Sequence, residues 1–315
     1  MSGLFLGVDT SNYTTSVSCV STEGIVFERR TMLFVPLGER GLRQSDAVFQ
    51  HVRNLPPLID NMMQAIDRTK VQAVAVSTKP TSAELSYMPV FLAGRLAAVS
   101  LASALGVPLF ETTHQAGHIR AGMLGQEARF TDAPFLTMHL SGGTTDLLLV
   151  RKQNGMISEI KRIGGCDDLH AGQFVDRVGV RLGLPFPSGV ALEALARDAM
   201  DQSIKLPASV KGLNCSFSGQ ESQSQRFIDG GAGKEAISFA VYDCMARTFS
   251  KLLQNAFAET GCQIALLSGG VSGSMLLREL MRKRMRQELL YAPNGLSSDN
   301  AVGIALFARD LTENA

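Results

Sequence analysis

Two histidines four residues apart, His114 and His118, have the spacing in this chain that most directly indicates chemistry. They lie in the segment TTHQAGHIRAGM, at the predicted start of a helix. Residues four apart project from one face of an α-helix, so both imidazoles can bind a single metal ion. In the zinc metalloprotease pattern a glutamate follows the first histidine as general base, whereas Gln115 stands here. The pair therefore predicts a metal site and disfavours peptide hydrolysis by that mechanism.

Asp299, in the segment LSSDNAVGIALFA, is the candidate for a third metal ligand. It lies between a polar loop and the start of the last predicted helix. An aspartate at this place can instead cap the helix N-terminus, or do both. Two imidazoles and one carboxylate suit iron or zinc, and ligand chemistry alone does not choose between them. We expect one divalent ion on His114, His118 and Asp299.

Two Ser-Gly-Gly turns, each after an apolar strand, form a second candidate site. They are Ser141-Gly142-Gly143, after FLTMHL, and Ser268-Gly269-Gly270, after QIALL. The second turn leads into a predicted helix, whose N-terminal N–H groups and dipole favour an anion or a ribose-phosphate edge. The two turns together predict that the chain binds a nucleotide.

Asp176 is the third candidate, on a predicted helix that points toward the turn Pro187-Ser188-Gly189. A carboxylate beside a backbone turn can hold the two hydroxyls of a ribose, as acidic residues do in other nucleotide sites. The competing explanation is an ion pair with a neighbouring arginine.

The elements that must position these residues begin with a repeat at an offset of 130 positions. FLGVDTSNYTTSVSCV at 5–20 matches FLTMHLSGGTTDLLLV at 135–150, and each copy predicts strand, tight turn, strand. Such a turn, with paired threonines after it, presents N–H groups and hydroxyls to a phosphate oxygen. The repeat predicts a duplicated domain that closes on a nucleotide, and the alternative is two buried hairpins that are alike by chance.

Between the copies the pattern alternates helices and strands. The helices DAVFQHVRNLPPLIDNMMQAI and FLAGRLAAVSLASALG, the second ended by Gly106, accompany the strands VQAVAVST and VPLFET. Further helices are predicted near Phe174 to Leu182 and Glu235 to Glu259. This order indicates α/β domains with mixed sheets. We assign 1–112, completed by a final helix at 300–315, to an N-terminal lobe and 113–299 to a C-terminal lobe.

Composition limits the protein class. With 315 residues, 45% of them hydrophobic and 19% charged, the chain can build two cores without extensive disorder. Five scattered cysteines argue against a disulfide framework or a thiolate zinc site. The net charge of +1 gives no general attraction to nucleic acid, and the basic run Arg278 to Arg286 is a solvated face or an RNA patch. Without a long apolar stretch or a leader, we expect a cytoplasmic protein.

The chain also carries an ordered set of motifs: LGVDTSNYTTSV, QHVRNLPPLI, HQAGH, LSGGTTDL, AGQFVDRVGVRLGLPFPSG, CSFSG, LSGGVSG and SSDNAVGIA. In this order they resemble the tRNA threonylcarbamoyladenosine transferases of the TsaD type, formerly labelled glycoproteases, over nearly the whole chain. The resemblance implies the actin-like ATPase fold shared with Hsp70 and sugar kinases, with two lobes around a nucleotide cleft. It implies transfer of a threonylcarbamoyl group from threonylcarbamoyl-AMP to the exocyclic amine of an adenine beside the tRNA anticodon.

Residue by residue, the resemblance places the metal ligands on His114, His118 and Asp299. The nucleotide contacts that it implies are Ser141, Gly142, Gly143, Asp176 and Gly189, with Gly269, Gly270 and Ser274 at the second turn. The implied cofactors are a divalent metal ion and ATP or an acyl-adenylate. The implied partners are tRNA, a related dimerising subunit and a small ATPase, with no membrane and no DNA. No catalytic residue is assigned beyond the metal site.

Several positions depart from the family pattern. Tyr13 and Thr14 stand where the family usually has acidic residues, Ser274 replaces an asparagine, and Arg177 replaces a lysine. Gln220-Glu221 and Lys79-Pro80-Thr81 replace a leucine-lysine pair and a glycine-proline-glycine loop. The metal and phosphate framework is kept, whereas tRNA-facing and catalytic positions are not. The alternatives are therefore a divergent paralogue that transfers to a small molecule, or a silent scaffold, against which the retained metal ligands argue.

Overall fold

The computed structural model describes residues 3–11, 13–35 and 42–314. The strands are β1 (Leu4–Asp9), β2 (Thr14–Val20), β3 (Ile25–Met32), β4 (Val71–Lys79), β5 (Leu109–Thr113), β6 (Phe135–Leu140), β7 (Thr145–Gln153), β8 (Met156–Cys166), β9 (Val210–Lys211), β10 (Asn214–Cys215), β11 (Ile264–Ser268) and β12 (Glu288–Tyr291). The helices are α1 (Gln44–Ala65), α2 (Phe91–Leu105), α3 (His114–Met123), α4 (Ala171–Arg181), α5 (Gly189–Arg197), α6 (Ser218–Asp229), α7 (Lys234–Thr260), α8 (Met275–Arg282) and α9 (Val302–Glu313). Within the described ranges, none of these helices combines the length and apolar character of a membrane span.

The chain divides into two compact units. Unit 1 comprises Met1–Glu127 and Ser298–Ala315, and unit 2 comprises Ala128–Ser297. The sequence predicts the boundary earlier, at 112, and assigns Asp299 to the second lobe. The structure keeps α3 in unit 1 because α3 packs against α9, β4 and β5. Both halves of the predicted metal site therefore lie in the same unit.

Unit 1 is a five-stranded mixed sheet with helices on both faces. The strand order is β3-β2-β1-β4-β5, with β4 parallel to β1 and β5 and the hairpin strands antiparallel. On α1, the residues Ala47, His51, Leu55, Leu58 and Met62 are buried at helical spacing, so one stripe of this helix faces the core. On the other face α9 packs directly on β1, where a Cβ at Gly7 would lie 2.5 Å from the backbone of α9.

Unit 2 repeats this topology. Its sheet order is β12-β11-β6-β7-β8-β10-β9, and the first five strands correspond to β5-β4-β1-β2-β3 of unit 1. The repeated hairpins even share their register, since Phe5 pairs with Val20 in one and Phe135 with Val150 in the other. The duplicated α/β fold predicted from the repeat is therefore confirmed, and the two hairpins occupy equivalent places in the two sheets.

The basic run predicted as one helical stretch is divided in the structure. Helix α8 ends at Arg282, before the rest of the run. Arg284 pairs with Asp243 at 2.6 Å, and the Arg278 guanidinium lies 4.5 Å from the centre of the Tyr291 ring. Part of the run thus stabilises unit 2 and does not form one continuous basic face.

Candidate functional site

The two histidines lie in the first turns of α3, which follows β5 without a loop. Thr113, the last residue of β5, accepts a hydrogen bond from the Ala116 N–H at 3.1 Å and so caps the helix start. This cap places His114 and His118 one above the other on a face of the helix. Their Nε2 atoms are 2.9 Å apart, so the spacing predicted from the sequence brings the two rings together.

The Asp299 carboxylate completes this cluster. Its Oδ1 lies 3.2 Å from His118 Nε2 and 3.5 Å from His114 Nε2. Ligands around a tetrahedral zinc-type ion are about 3.4 Å apart, because each bond is about 2.1 Å long. Among the described residues, these three form the single cluster of histidine, cysteine or acidic side chains with metal-ligand spacing.

The alternative role of Asp299 as a helix cap is wrong. Helix α9 begins at Val302, and the Val302 N–H donates to Asn300 Oδ1 at 3.0 Å. Asn300 therefore supplies the side-chain oxygen at the start of α9. The Asp299 carboxylate turns to the two histidines instead.

Helix packing explains why these ligands meet although they are far apart in the chain. Helix α3 crosses α9 at two glycines, Gly117 and Gly303. A Cβ at Gly303 would lie 1.8 Å from the Gly117 carbonyl oxygen, so a larger residue cannot fit without moving a helix. This close approach brings Asp299, just before α9, to the first turn of α3.

Asp9, at the end of β1, supports the cluster from behind and was not predicted from the sequence. Its Oδ2 lies 3.1 Å from His114 Nδ1, and its side chain is fully buried. Ser11 donates to the same carboxylate at 2.8 Å, and Ser77 donates to the other oxygen. A buried carboxylate on Nδ1 orients the imidazole and leaves Nε2 to face a metal. The available sequence signal was an aspartate directly before the turn of the first repeated hairpin.

The cluster is electrostatically coupled. Burial would lower the pKa of His114, but Asp9 and Asp299 outweigh it by their charges and hydrogen bonds and raise that pKa to about 10. Burial opposes ionisation of both carboxyls, yet the histidines hold the pKa of Asp299 well below its usual range and His114 lowers that of Asp9. Burial and the charge of His114 lower the pKa of His118. Two carboxylates beside one imidazolium leave net negative charge, which attracts a cation.

In unit 2 the first Ser-Gly-Gly turn closes on itself. Ser141 N donates to Thr144 O at 2.9 Å, and Thr144 N donates to Ser141 Oγ at 3.0 Å. Gly142 and Gly143 are exposed at the tip, and a Cβ at Gly142 would meet no described atom within 4 Å. Protein packing therefore does not explain a glycine at 142, whereas close approach of a ligand to the backbone would.

Helix α4 begins directly behind this turn. Gly172 N donates to Ser141 O at 3.0 Å, and Ala171 N donates to Thr145 Oγ1 at 2.8 Å. The N-terminal end of α4, which carries partial positive charge, thus lies against the turn. These two N–H groups are bonded within the protein, so it is the dipole of α4 that favours an anion beside Gly142.

The second turn differs from its prediction. Gly269 has a φ of +88°, and a Cβ there would lie 2.3 Å from the Leu140 carbonyl oxygen, so packing alone requires this glycine. A 3-10 turn over Gly270–Gly273 separates it from α8. Ser274 Oγ accepts the Leu277 N–H at 3.1 Å, and Glu193 accepts the Leu276 N–H at 2.7 Å. Two N–H groups that the sequence predicts to face an anion are therefore bonded within the protein.

Asp176, on α4, lies against the turn that the sequence predicts. Its Oδ1 accepts the Ser188 N–H at 2.8 Å, directly before Gly189. Tyr242 donates its hydroxyl to the Gly189 carbonyl at 2.9 Å and holds the turn from the core side. Burial raises the pKa of Asp176 despite the bond from Ser188. Within the described residues Asp176 forms no ion pair, so the predicted alternative of an arginine partner is wrong.

Known structures share this fold. A ROK family glucokinase from Streptomyces griseus, solved with glucose and AMPPNP, aligns with 98% of this chain and 100% of its own, with a TM-score of 0.56 and 14% identity. HypF from T. kodakarensis aligns with 97% of this chain and 47% of its own, with a TM-score of 0.62 and 14% identity. At these identities the likeness concerns the fold alone, and it confirms the predicted actin-like ATPase fold.

Sequence relatives identify the family. The probable bifunctional tRNA threonylcarbamoyladenosine biosynthesis protein of Methanocaldococcus jannaschii is 26% identical over 95% of this chain, which spans 54% of that protein. A tRNA N6-adenosine threonylcarbamoyltransferase of Thermus thermophilus is 30% identical over 96% of this chain and 91% of its own. A family model described as tRNA N6-adenosine threonylcarbamoyltransferase matches residues 38–306. The chain therefore belongs to the tRNA N6-adenosine threonylcarbamoyltransferase family, a family of acyltransferases.

Proposed function

We propose that this chain transfers a threonylcarbamoyl group from threonylcarbamoyl-AMP to the exocyclic amine of an adenine beside the tRNA anticodon, with the help of one divalent iron or zinc ion. Family membership supports the transfer to tRNA. The observation that carries the metal dependence is the convergence of His114, His118 and Asp299, with ligand atoms 2.9 to 3.5 Å apart.

The donor set fits such an ion. His114, His118 and Asp299 would hold it, and Asp9 orients the His114 ring through Nδ1. When bound there, a divalent ion supplies a Lewis acid and a template for the acyl group. The net negative charge of the cluster favours a cation over a neutral ligand.

Unit 2 supplies the groups for the adenylate. The exposed backbone at Gly142 and Gly143, backed by the N-terminus of α4, suits the AMP phosphate. Asp176 and the backbone at Gly189 suit the ribose, since a half-buried carboxylate accepts hydroxyl protons. AMP is the leaving group, so groups that stabilise its phosphate also lower the barrier to its departure. At the second turn, a Cβ on Gly270 would meet no described atom within 4 Å, so we keep Gly270 as a further proposed contact with the nucleotide.

A tRNA acceptor places the reaction in the cytoplasm, and the resemblance implies a related dimerising subunit and a small ATPase as partners. One apolar surface of unit 1 supports a protein partner. Phe49 and Val52 of α1 and Leu92 and Leu96 of α2 are half or more exposed. A groove of about 470 Å³ runs between the same two helices. Exposed apolar surface of this kind is typical of protein contacts.

A second candidate function is transfer to a small-molecule acceptor. It is favoured by Tyr13 and Thr14, which stand where the family usually has acidic residues. Thr14 is buried at the start of β2, and its backbone N–H donates to Ser11 O at 3.0 Å. A carboxylate is therefore missing from the start of β2.

Reconstitution tests the proposal. The protein is combined with its partner enzymes, ATP, threonine, bicarbonate and tRNA, and the modified nucleoside is measured after digestion. We expect the nucleoside with the native chain, and loss of both nucleoside and bound metal in His114→Ala. Absence of the nucleoside despite stoichiometric metal would refute transfer to tRNA. ATP binding without affinity for tRNA at low or high salt would favour the small-molecule acceptor, because phosphate contacts are salt-sensitive.

A further inference from the structure

We propose that Arg30 is a positioning residue that holds the loop carrying Asp299 in the geometry required for metal binding. This inference rests on the metal site proposed above. It concerns how the backbone of that loop is held, which the ligand motifs in the sequence do not indicate.

The Arg30 guanidinium reaches the Asp299 loop from strand β3, at the edge of the unit 1 sheet. Its Nη1 donates to Ser298 Oγ at 2.9 Å and to the Asp299 carbonyl oxygen at 3.1 Å. Glu28, two residues earlier on the same face of β3, lies 3.6 Å from Arg30 Nε. Arg30 Nη1 therefore connects the side chain of Ser298 with the backbone of Asp299, the proposed metal ligand.

The loop that carries Asp299 is irregular in structure. Residues 292–301 form turns and bends, with neither helix nor strand. Asn300 ties the far side, because its side chain donates to Ser298 O at 2.8 Å and accepts from Val302 N at 3.0 Å. The histidines are fixed by α3, whereas a carboxylate on a loop keeps its place only if the loop backbone is held. Arg30 lowers the ordering cost that metal binding would otherwise carry.

The geometry predicts that replacing Arg30 weakens Zn²⁺ binding. Outer-sphere partners of metal ligands typically contribute about 10- to 100-fold in affinity, and a backbone anchor belongs at the lower end. We expect Arg30→Met to weaken Zn²⁺ binding about tenfold. A lysine side chain ends one bond short of Nη1 but keeps a charged donor on a flexible stem, so Arg30→Lys should weaken Zn²⁺ binding less than Arg30→Met does.

The test is a Zn²⁺ titration of the full chain against a chromophoric chelator. It compares the native protein with Arg30→Met, Arg30→Lys and the control Arg29→Met. Arg29 is the neighbouring exposed arginine on the opposite face of β3, and its guanidinium lies 5.6 Å from the Phe27 ring centre. We expect native affinity in the control. Co²⁺ substitution adds a second readout, since Arg30→Met should change the visible absorption spectrum and Arg29→Met should not.

Native Zn²⁺ affinity in Arg30→Met, or equal weakening by Arg30→Lys and Arg30→Met, overturns the inference. If Arg30→Met does not fold, Ser298→Ala removes one of the two bonds and should weaken Zn²⁺ binding by about threefold. Unchanged affinity in that variant overturns the inference as well. A native chain that binds no Zn²⁺, or a His114→Ala variant that binds as tightly as the native chain, instead refutes the proposed metal site.

Discussion

Asp9→Asn is the substitution that tests most directly how the metal cluster is organised. Asparagine has nearly the same shape as aspartate, so the packing around β1 is kept. The substitution removes the negative charge that faces His114 Nδ1 at 3.1 Å and gives Ser11 and Ser77 a poorer acceptor. The His114 ring then loses the charged partner that fixes its tautomer and direction.

The magnitude follows from two opposing effects of Asp9. Its charge helps to raise the pKa of His114 to about 10, so at neutral pH a metal ion must displace a proton from that ring. At a comparable distance, the same charge attracts a divalent ion about twice as strongly as a proton, and it orients Nε2. The metal therefore gains more from Asp9 than the proton does. We expect Asp9→Asn to weaken Zn²⁺ binding about 10- to 100-fold, which corresponds to about 1.4 to 2.8 kcal/mol.

The assay is competition with a chromophoric chelator at pH 7, with the thermal midpoint measured on the same samples. Ser11→Ala is the matched control, because it removes one neutral donor to the same carboxylate and leaves the charge. We expect a loss of less than about fivefold for that control, because the charge that faces His114 is kept and Ser11 acts on the metal ligand only through Asp9.

Equal or tighter Zn²⁺ binding by a folded Asp9→Asn protein would refute the reasoning. It would mean that Asp9 acts mainly to keep a proton on His114 and does not prepare the site. A loss in Ser11→Ala as large as in Asp9→Asn would also contradict it, because charge would then not be the decisive property.

Two further predictions concern helix packing and the half-buried carboxylate of unit 2. Gly303→Ala should destabilise the protein by about 1 to 3 kcal/mol and weaken metal binding, because its Cβ would lie 1.8 Å from the Gly117 carbonyl oxygen. The control Gly219→Ala, whose Cβ would meet no described atom within 4 Å, should leave the thermal midpoint within about 1 °C or raise it. Equal midpoints for both variants would contradict this prediction. Burial raises the folded-state pKa of Asp176 above its ordinary value of 3.8, so its contribution to stability is present below that pH and is lost as the pH rises through the folded pKa. Asp176→Asn should therefore remove this pH dependence and match or exceed native stability at pH 7 by calorimetry, while ATP affinity falls; a lower midpoint at pH 7 with unchanged ATP affinity would show that the carboxylate serves the fold.

The elements of the chain could largely be predicted from the sequence because they depend on local spacing. The repeated hairpin predicted two sheets of the same topology, and the pairs Phe5–Val20 and Phe135–Val150 confirm it down to register. The four-residue spacing of His114 and His118 predicted a shared helix face, since 3.6 residues form one turn. The ordered motifs added the family, which periodicity alone cannot identify.

The completed site was decided by tertiary structure. The sequence indicated Asp299 as a candidate, but it could not show whether Asp299 is a metal ligand or a helix cap. In the structure, Asn300 takes the place of the cap, and the packing of α3 on α9 brings Asp299 to the histidines. Asp9 and Arg30 act through partners distant in sequence. The place of Asp9 before the first hairpin turn is a weak local signal, and no local pattern marks Arg30.

The same limit explains where the predictions were wrong. A strand, glycine turn and helix predicted free N–H groups at α8, yet Glu193 of α5 occupies one of them. The spacing of neighbouring residues in a helix or strand follows from covalent geometry, which is the same at every position of the chain. Which groups meet across the fold depends on how closely helices pack, and at Gly303 that distance is set by the absence of a single Cβ.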